Sequence, residues 1–477
     1  MMMRKHWIFF SIMALALVTR LSAIQQSFWY DEGYTAMIVG LPARDMWSAI
    51  VTDVHPPTWY LIERVFSVLG MSEFVLRLPS LLLGLLAIYL VWHIARRLSD
   101  LTGLVAAGIM AVAPFTVYYS VEARVYSLLM CATLVAVIGA LERKPILLSL
   151  GTMLVLMSHN TAAVYMPVIG MIAWNRMGFR RAATWIAIGM IPWLLWLPTL
   201  WNQAINIGSG EGYWTQSITG NKVMFLLEQM NEQIFPAWGP NWVIPTNIVV
   251  TSMVIIFPIA EAIRTRNGAA LMLARLAFVP GIIGIIISLA WQPVMIARAM
   301  SGAFPFWVML VSWWITSQRK WSMGQCALAG IASGLVLMTT VTLPFLDRSM
   351  GLDGALKYLE HNSAPTDLVC HADSSTIVLT RYYLHRPIAI LTLGNLRHTM
   401  NDETMRAAGI YQADPSKCDW LFYIRSPLLD REVVTAIDSV LLTHDYDAVY
   451  TIQGSKWALA QLWRLKHVDR TANTHTD

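Results

Sequence analysis

The chain has 477 residues, of which 56% are hydrophobic and only 13% charged, against about 25% charged in ordinary soluble domains. A formal net charge of +5 is too small over this length to argue for nucleic acid, and four cysteines are too few for a disulfide scaffold. What fits is an α-helical polytopic membrane protein, because repeated apolar runs fill the first 345 residues and a span needs roughly 20 mostly apolar residues.

The first segment, "MMMRKHWIFFSIMALALVTRLSA", has a basic start, an apolar middle and small residues at Ser22 and Ala23, which are the traits of a signal peptide. Arg20 interrupts the cleavage region, so the segment reads as an uncleaved first span. Eleven apolar cores are predicted, at 7–24, 77–95, 101–119, 125–141, 145–158, 161–174, 183–201, 246–263, 276–292, 299–316 and 323–344. Six basic clusters fall on alternate connections: Arg4-Lys5, Arg96-Arg97, Arg143-Lys144, Arg176 with Arg180 and Arg181, Arg264 with Arg266, and Arg319-Lys320. Basic residues near span ends collect on the cytoplasmic side. The N-terminus is therefore expected inside and the C-terminus outside. The opposite connections, 25–76, 120–124, 202–245 and everything after 345, hold the acids.

Within the long first outer loop, 34–40, 44–51 and 58–69 are expected to form short helices along the membrane surface, with Pro56-Pro57 breaking the chain before the third. The chain is expected to divide into a membrane domain, 1–345, and a small extracytoplasmic α/β domain, 346–477. In the second, "DLVCHA", "PIAIL", "DWLFYI" and "DAVYTI" read as buried strands, and "GALKYLEHN", "SSTIVLTRYYLH" and "DREVVTAIDSVLLTH" as helices. Cys370 and Cys418 can pair if this domain lies outside the cytoplasm, whereas Cys131 and Cys326 sit in apolar runs as packing residues. No Gly-rich phosphate fingerprint and no internal repeat is found.

Ionisable residues in so apolar a chain are the candidates for chemistry. Asp31 and Glu32, in "FWYDEGYTAM", are either a solvated acidic turn after a span or part of a site. Asp53 and His55, in "DVHPP", are either a cap and a structural histidine or a pair able to share a cation. Glu122, Arg124 and Tyr126 lie in "YYSVEARVYSL" at the outer end of the third and fourth spans. Arg124 stands where basic residues are scarce, which makes it a candidate for holding an anionic group. Arg298, at the outer start of the tenth span, is either a snorkelling interfacial residue or a second phosphate contact, and Lys222 has the same two readings. His159, between the fifth and sixth spans, is either a helix-end residue or part of the same outer mouth. Outward-facing carboxylates suit deprotonation of a hydroxyl, and outward-facing cations suit a lipid-linked phosphate.

The stretches "FWYDEGYTA", "DVHPPTWYLIERVFSVLGMSEFVLRLPSLLLG", "APFTVYYSVEARVYSL" and "ARAMSGAFPFW" together resemble bacterial membrane glycosyltransferases of the GT-C class, in the protein mannosyltransferase-like branch. The resemblance covers roughly residues 1–320. It implies inverting transfer of a sugar from a polyprenyl-phosphate donor to a hydroxyl acceptor on a protein, lipid or glycan, at the outer face of the bacterial inner membrane. Asp31 would be the catalytic base, Glu32 would position acceptor or sugar, and Arg124 and Arg298 would hold the donor phosphate, with Glu122, Tyr126 and Lys222 beside them. Asp53, His55 and His159 would shape the site. No cofactor is required by this chemistry, since phosphate leaves as a stable anion; a divalent metal, if used, would sit at Asp53 and His55. A transporter or lipid flippase is the alternative. Coupling residues of transporters gather near the midplane of repeated halves, whereas here the charges gather at one face.

Overall fold

The structure is a computed structural model. It describes residues 2–209, 243–291, 296–318, 334, 352–371, 374–384, 388–391, 402–414, 417–425, 435, 438–441, 443, 446–453 and 459–465. The eleventh apolar segment, 323–344, and most of the helix expected over "DREVVTAIDSVLLTH" fall outside these residues. In chain order the helices are α1 (Met2–Leu21), α2 (Tyr30–Gly40), α3 (Ala43–Thr52), α4 (Thr58–Phe66), α5 (Glu73–Ala95) and α6 (Asp100–Val112). They continue with α7 (Pro114–Ser120), α8 (Tyr126–Leu141), α9 (Pro145–Leu156), α10 (Met166–Met177), α11 (Phe179–Ser209) and α12 (Val243–Arg264). The last are α13 (Gly268–Ala290), α14 (Phe304–Ser317), α15 (Leu352–Asn362), α16 (Ser374–Leu384) and α17 (Asp402–Ala407). Strands β1 (Val369–His371), β2 (Ile388–Leu391), β3 (Tyr411–Ala413), β4 (Trp420–Arg425), β5 (Tyr446–Gln453) and β6 (Leu459–Leu465) all lie in the C-terminal part.

The chain divides into two units. The first comprises Met1–Gln25, Val54–Gly208 and Thr215–Leu346, and the second contains Gln26–Asp53 and Asp347–Asp477. The expected boundary kept all of 25–76 with the membrane part. Residues 26–53 instead group with the C-terminal region, because α2 packs on α16 and α3 on α17.

In the first unit each of the first ten apolar segments is helical. Glu73–Ala95, Phe179–Ile205 and Gly268–Ala290 have the length and hydropathy of a membrane span, and α6 with α7 makes a further one bent by 60°. The bend follows from Pro114, which starts α7 without an N–H to donate. Carbonyls freed there still need donors. Wholly buried Arg20 supplies them from α1, reaching Ala111 O at 2.9 Å and Met110 O at 3.2 Å. Helix α8 is buried along most of its length and forms the centre of the unit. It meets α9 closely because both are notched: a Cβ on Gly139 would collide with the Leu148 backbone, and one on Gly151 with that of Ala136. At the far end of α8, Glu142 binds His93 (2.7 Å), Lys144 (2.7 Å) and Arg97, tying α5 to α8 on the side the charge pattern assigns to the cytoplasm. Trp7, Phe10, Leu195, Trp201, Ile286 and Leu289 are exposed, as expected where lipid is the solvent.

The second unit contains a six-stranded sheet in the order β3-β2-β1-β4-β6-β5. Strands β3, β2, β1 and β4 are parallel, while β6 is antiparallel to both β4 and β5. The four expected strands form, and β3 and β6 are additional. Cys370 of β1 and Cys418, just before β4, are joined in a disulfide with Cα atoms 5.7 Å apart. Cys131 is buried in the first unit as a free thiol.

Candidate functional site

The first unit gathers a cationic cleft. Pro57 opens α4, and the helix carries Trp59 inward, where its Nε1 donates to Ala123 O at 3.1 Å. Ser80, a polar residue on apolar α5, donates to Glu122 O at 2.5 Å. These two bonds hold the turn between α7 and α8, so Arg124 projects from a fixed backbone. Its guanidinium donates to His55 Nε2 at 3.4 Å, and His55, Trp59, Tyr60, Arg124 and Val125 line one small cleft. Both His55 and Arg124 are buried.

His159 stands edge-on to His55, with ring centroids 5.1 Å apart. Its Nδ1 accepts from the backbone N–H of Thr161 (3.2 Å) and from that residue's hydroxyl (2.8 Å), so the proton of the neutral ring is on Nε2. Burial first, then the neighbouring His55, Arg124 and Arg298, hold the His159 pKa well below its ordinary value. Both Arg124 and Arg298 are thus within electrostatic reach of His159. Arg298 is half-buried in the short turn Ala297–Met300. Tyr126 is buried in an aromatic group, its ring 4.8 Å from that of Tyr119. Asn160 fastens this corner by donating to Val54 O (2.7 Å) and to Gln203 Oε1 (3.2 Å).

The carboxylates Asp31, Glu32 and Asp53 belong to the second unit. Asp31 is half-buried in the first turn of α2. Glu32 is wholly buried, and its carboxylate turns back to accept the Trp29 N–H at 3.5 Å, in the manner of a capping box. Asp53 closes α3, its N–H donating to Ala49 O and Ile50 O. Lys222 lies outside the described residues.

Among the described residues, no group of three or more His, Cys, Asp or Glu side chains is placed to hold a metal ion. His55 Nε2 accepts a hydrogen bond from the Arg124 guanidinium. Trp59, Ser80 and Asn160 were not singled out from the sequence. The signal available was a lone polar side chain in apolar α5 for Ser80, adjacency to Pro56-Pro57 for Trp59, and to His159 for Asn160.

The helical bundle with its small α/β unit is similar in fold, and over part of the sequence, to the GT-C, protein mannosyltransferase-like class. Residues 54–201 match the family described as dolichyl-phosphate-mannose-protein mannosyltransferase, and this segment holds His55, Arg124 and His159. The fold is similar to that of ArnT from Cupriavidus metallidurans. The crystal structure of ArnT bound to undecaprenyl phosphate aligns with a TM-score of 0.61 at 14% identity, covering 96% of this chain and 98% of that one. The apo crystal structure aligns with a TM-score of 0.58 at 13% identity, covering 95% and 97%. No curated protein matches the chain in sequence.

Proposed function

We propose that the protein is an integral-membrane, inverting glycosyltransferase that moves a sugar from a polyprenyl-phosphate donor to a hydroxyl acceptor at the outer face of the bacterial inner membrane. The observation that carries this is the buried Arg124–His55–His159 cluster inside the segment that matches the mannosyltransferase family. The undecaprenyl phosphate bound to structurally similar ArnT supports the donor class.

In this mechanism Arg124 and Arg298 neutralise the donor phosphate and gain strength as charge develops on it in an oxocarbenium-like transition state. Glu122 and Tyr126 border the donor, and His55 and His159 shape its pocket. Asp31 takes the proton of the attacking hydroxyl, which requires an approach of about 3 Å in the productive pose. Glu32 positions the acceptor or the sugar, and Asp53 with His55 shapes the donor end of the site. The leaving phosphate needs no general acid and no cofactor is required; a divalent metal, if used, would sit at Asp53 and His55. The N-terminus is cytoplasmic and the α/β unit extracytoplasmic, following the alternation of basic clusters.

The test uses the protein in lipid nanodiscs with radiolabelled polyprenyl-phosphate sugars and an envelope extract as acceptor source. Transfer of label, insensitive to a chelator, is expected. No transfer with any donor, together with vectorial movement of the lipid across vesicles, would return the protein to the transporter class.

A further inference from the structure

The C-terminal helices of the α/β unit have no role in the chemistry proposed so far, yet residues 27–33, which bracket Asp31, are held by them. Phe28 is wholly buried: its N–H donates to Tyr383 Oη at 2.8 Å, and its ring lies 4.9 Å from that of Tyr382. Ser27 donates to Asp353 Oδ1 of α15 at 3.1 Å. Gly33 rests on α16 so closely that a Cβ there would lie 2.7 Å from Leu379 Cδ2 and 3.3 Å from Val378 Cγ2. Leu379, Tyr382 and Tyr383 are at i, i+3 and i+4, one face of a helix. Glycine inside a helix costs about 1 kcal/mol relative to alanine, and α2 has no left-handed residue at Gly33 to justify it. Close approach to α16 is the explanation that fits.

We propose that helix α16 is the positioning element for Asp31, with Leu379 and Tyr383 fixing α2 through Gly33 and Phe28 so that the carboxylate is held where the acceptor hydroxyl arrives. The Asp31 carbonyl accepts from Thr35 Oγ1 at 3.0 Å, so the backbone that carries the carboxylate moves with the helix. A displacement of about 1 Å at a reacting group can cost on the order of 10²-fold in rate. The proposal rests on the reading of Asp31 as base, and its test separates the two.

In the full-length protein, Gly33→Leu is expected to lower kcat on the order of 10²-fold while the KM for donor and the melting temperature hold. Adding Leu379→Ala, which opens the space, is expected to restore most of the rate. Tyr383→Phe, which strips Phe28 of its acceptor, gives a milder loss of kcat. Independently of catalysis, Asp31→Cys is labelled with a charged thiol reagent. Its labelling rate is expected to shift in the Gly33→Leu background and return with Leu379→Ala. A folded Gly33→Leu protein with parental kcat and parental labelling, or a double variant that recovers neither, overturns the proposal. If Asp31→Asn transfers sugar at the parental rate while the labelling pattern holds, the base assignment falls and the positioning of residue 31 stands.

Discussion

Arg124 and His55 are 69 residues apart in the chain, and the guanidinium of the first donates to Nε2 of the second at 3.4 Å. A guanidinium can only donate, so the lone pair at Nε2 of His55 is the acceptor in this contact. His159 is held neutral by burial and by the same arginines. In the proposed transfer the arginines face the donor phosphate and a carboxylate supplies the base.

Arg124→Ala is expected to weaken binding of polyprenyl phosphate by about 10- to 100-fold, the effect of removing a hydrogen bond to a charged group. Arg124→Lys restores little, because an ammonium lacks the planar fork that reaches phosphate and His55 together. Titration with polyprenyl phosphate, followed by thermal shift in detergent, measures this. Unchanged affinity in Arg124→Ala would remove the arginine from the donor site.

Asp31→Asn keeps the size of the side chain and loses the basic group. Transfer is expected to fall by about 10²- to 10⁴-fold, the range for a positioned general base, with polyprenyl-phosphate affinity at the parental level. Single-turnover transfer with preloaded donor isolates the chemical step. A parental rate would mean that another group takes the hydroxyl proton.

Much of this was legible in the sequence, and the division follows the range of the interactions. Spans could be read because apolar runs announce themselves locally, and an outer position of Asp31, Arg124 and Arg298 is the expectation that follows from which connections carry Lys and Arg. The boundary of the units could not be read that way. It falls at Asp53, between two residues of one motif, because Gly33 packs on Leu379 across more than three hundred positions of chain. Arg20 looked like a flaw in a signal peptide, and its partners are carbonyls released by a proline ninety residues on. Strand β3 has three residues, Tyr411–Ala413, too few for an alternating pattern to register.

The disulfide between Cys370 and Cys418 joins residues 48 apart in sequence, and both are fully buried in the α/β unit. A loop of that length restricts the unfolded chain by about 4 kcal/mol in the chain-entropy picture. Cys370→Ala with Cys418→Ala should therefore make the C-terminal region cleavable by protease at a temperature where the parent resists. The bond also requires an oxidising compartment, so alkylation of unreduced cells is expected to spare both thiols. Labelling of Cys370 in intact parent protein would contradict both the bond and the outward orientation.

His371 gives the α/β unit a pH dependence whose sign can be worked out. Its ring is wholly buried, parallel to Phe422 with centroids 5.4 Å apart, and its Nδ1 pairs with Thr376 Oγ1 at 2.7 Å. Burial pushes its pKa down from 6.5 to about 3. An unfolded chain takes up a proton below pH 6.5 while the native ring stays neutral. The unfolded state thus binds more protons, and stability is lost as pH falls from 6.5 toward 3, at about 1.4 kcal/mol per unit. At pH 5 the loss from this residue is about 2 kcal/mol. Protease protection of the C-terminal region, followed in the full-length protein between pH 7.5 and 5, reads it out. His371→Gln should be less protected at neutral pH but show a flatter slope, since no proton is left to bind. An equal slope in parent and variant would assign the acid sensitivity to other groups.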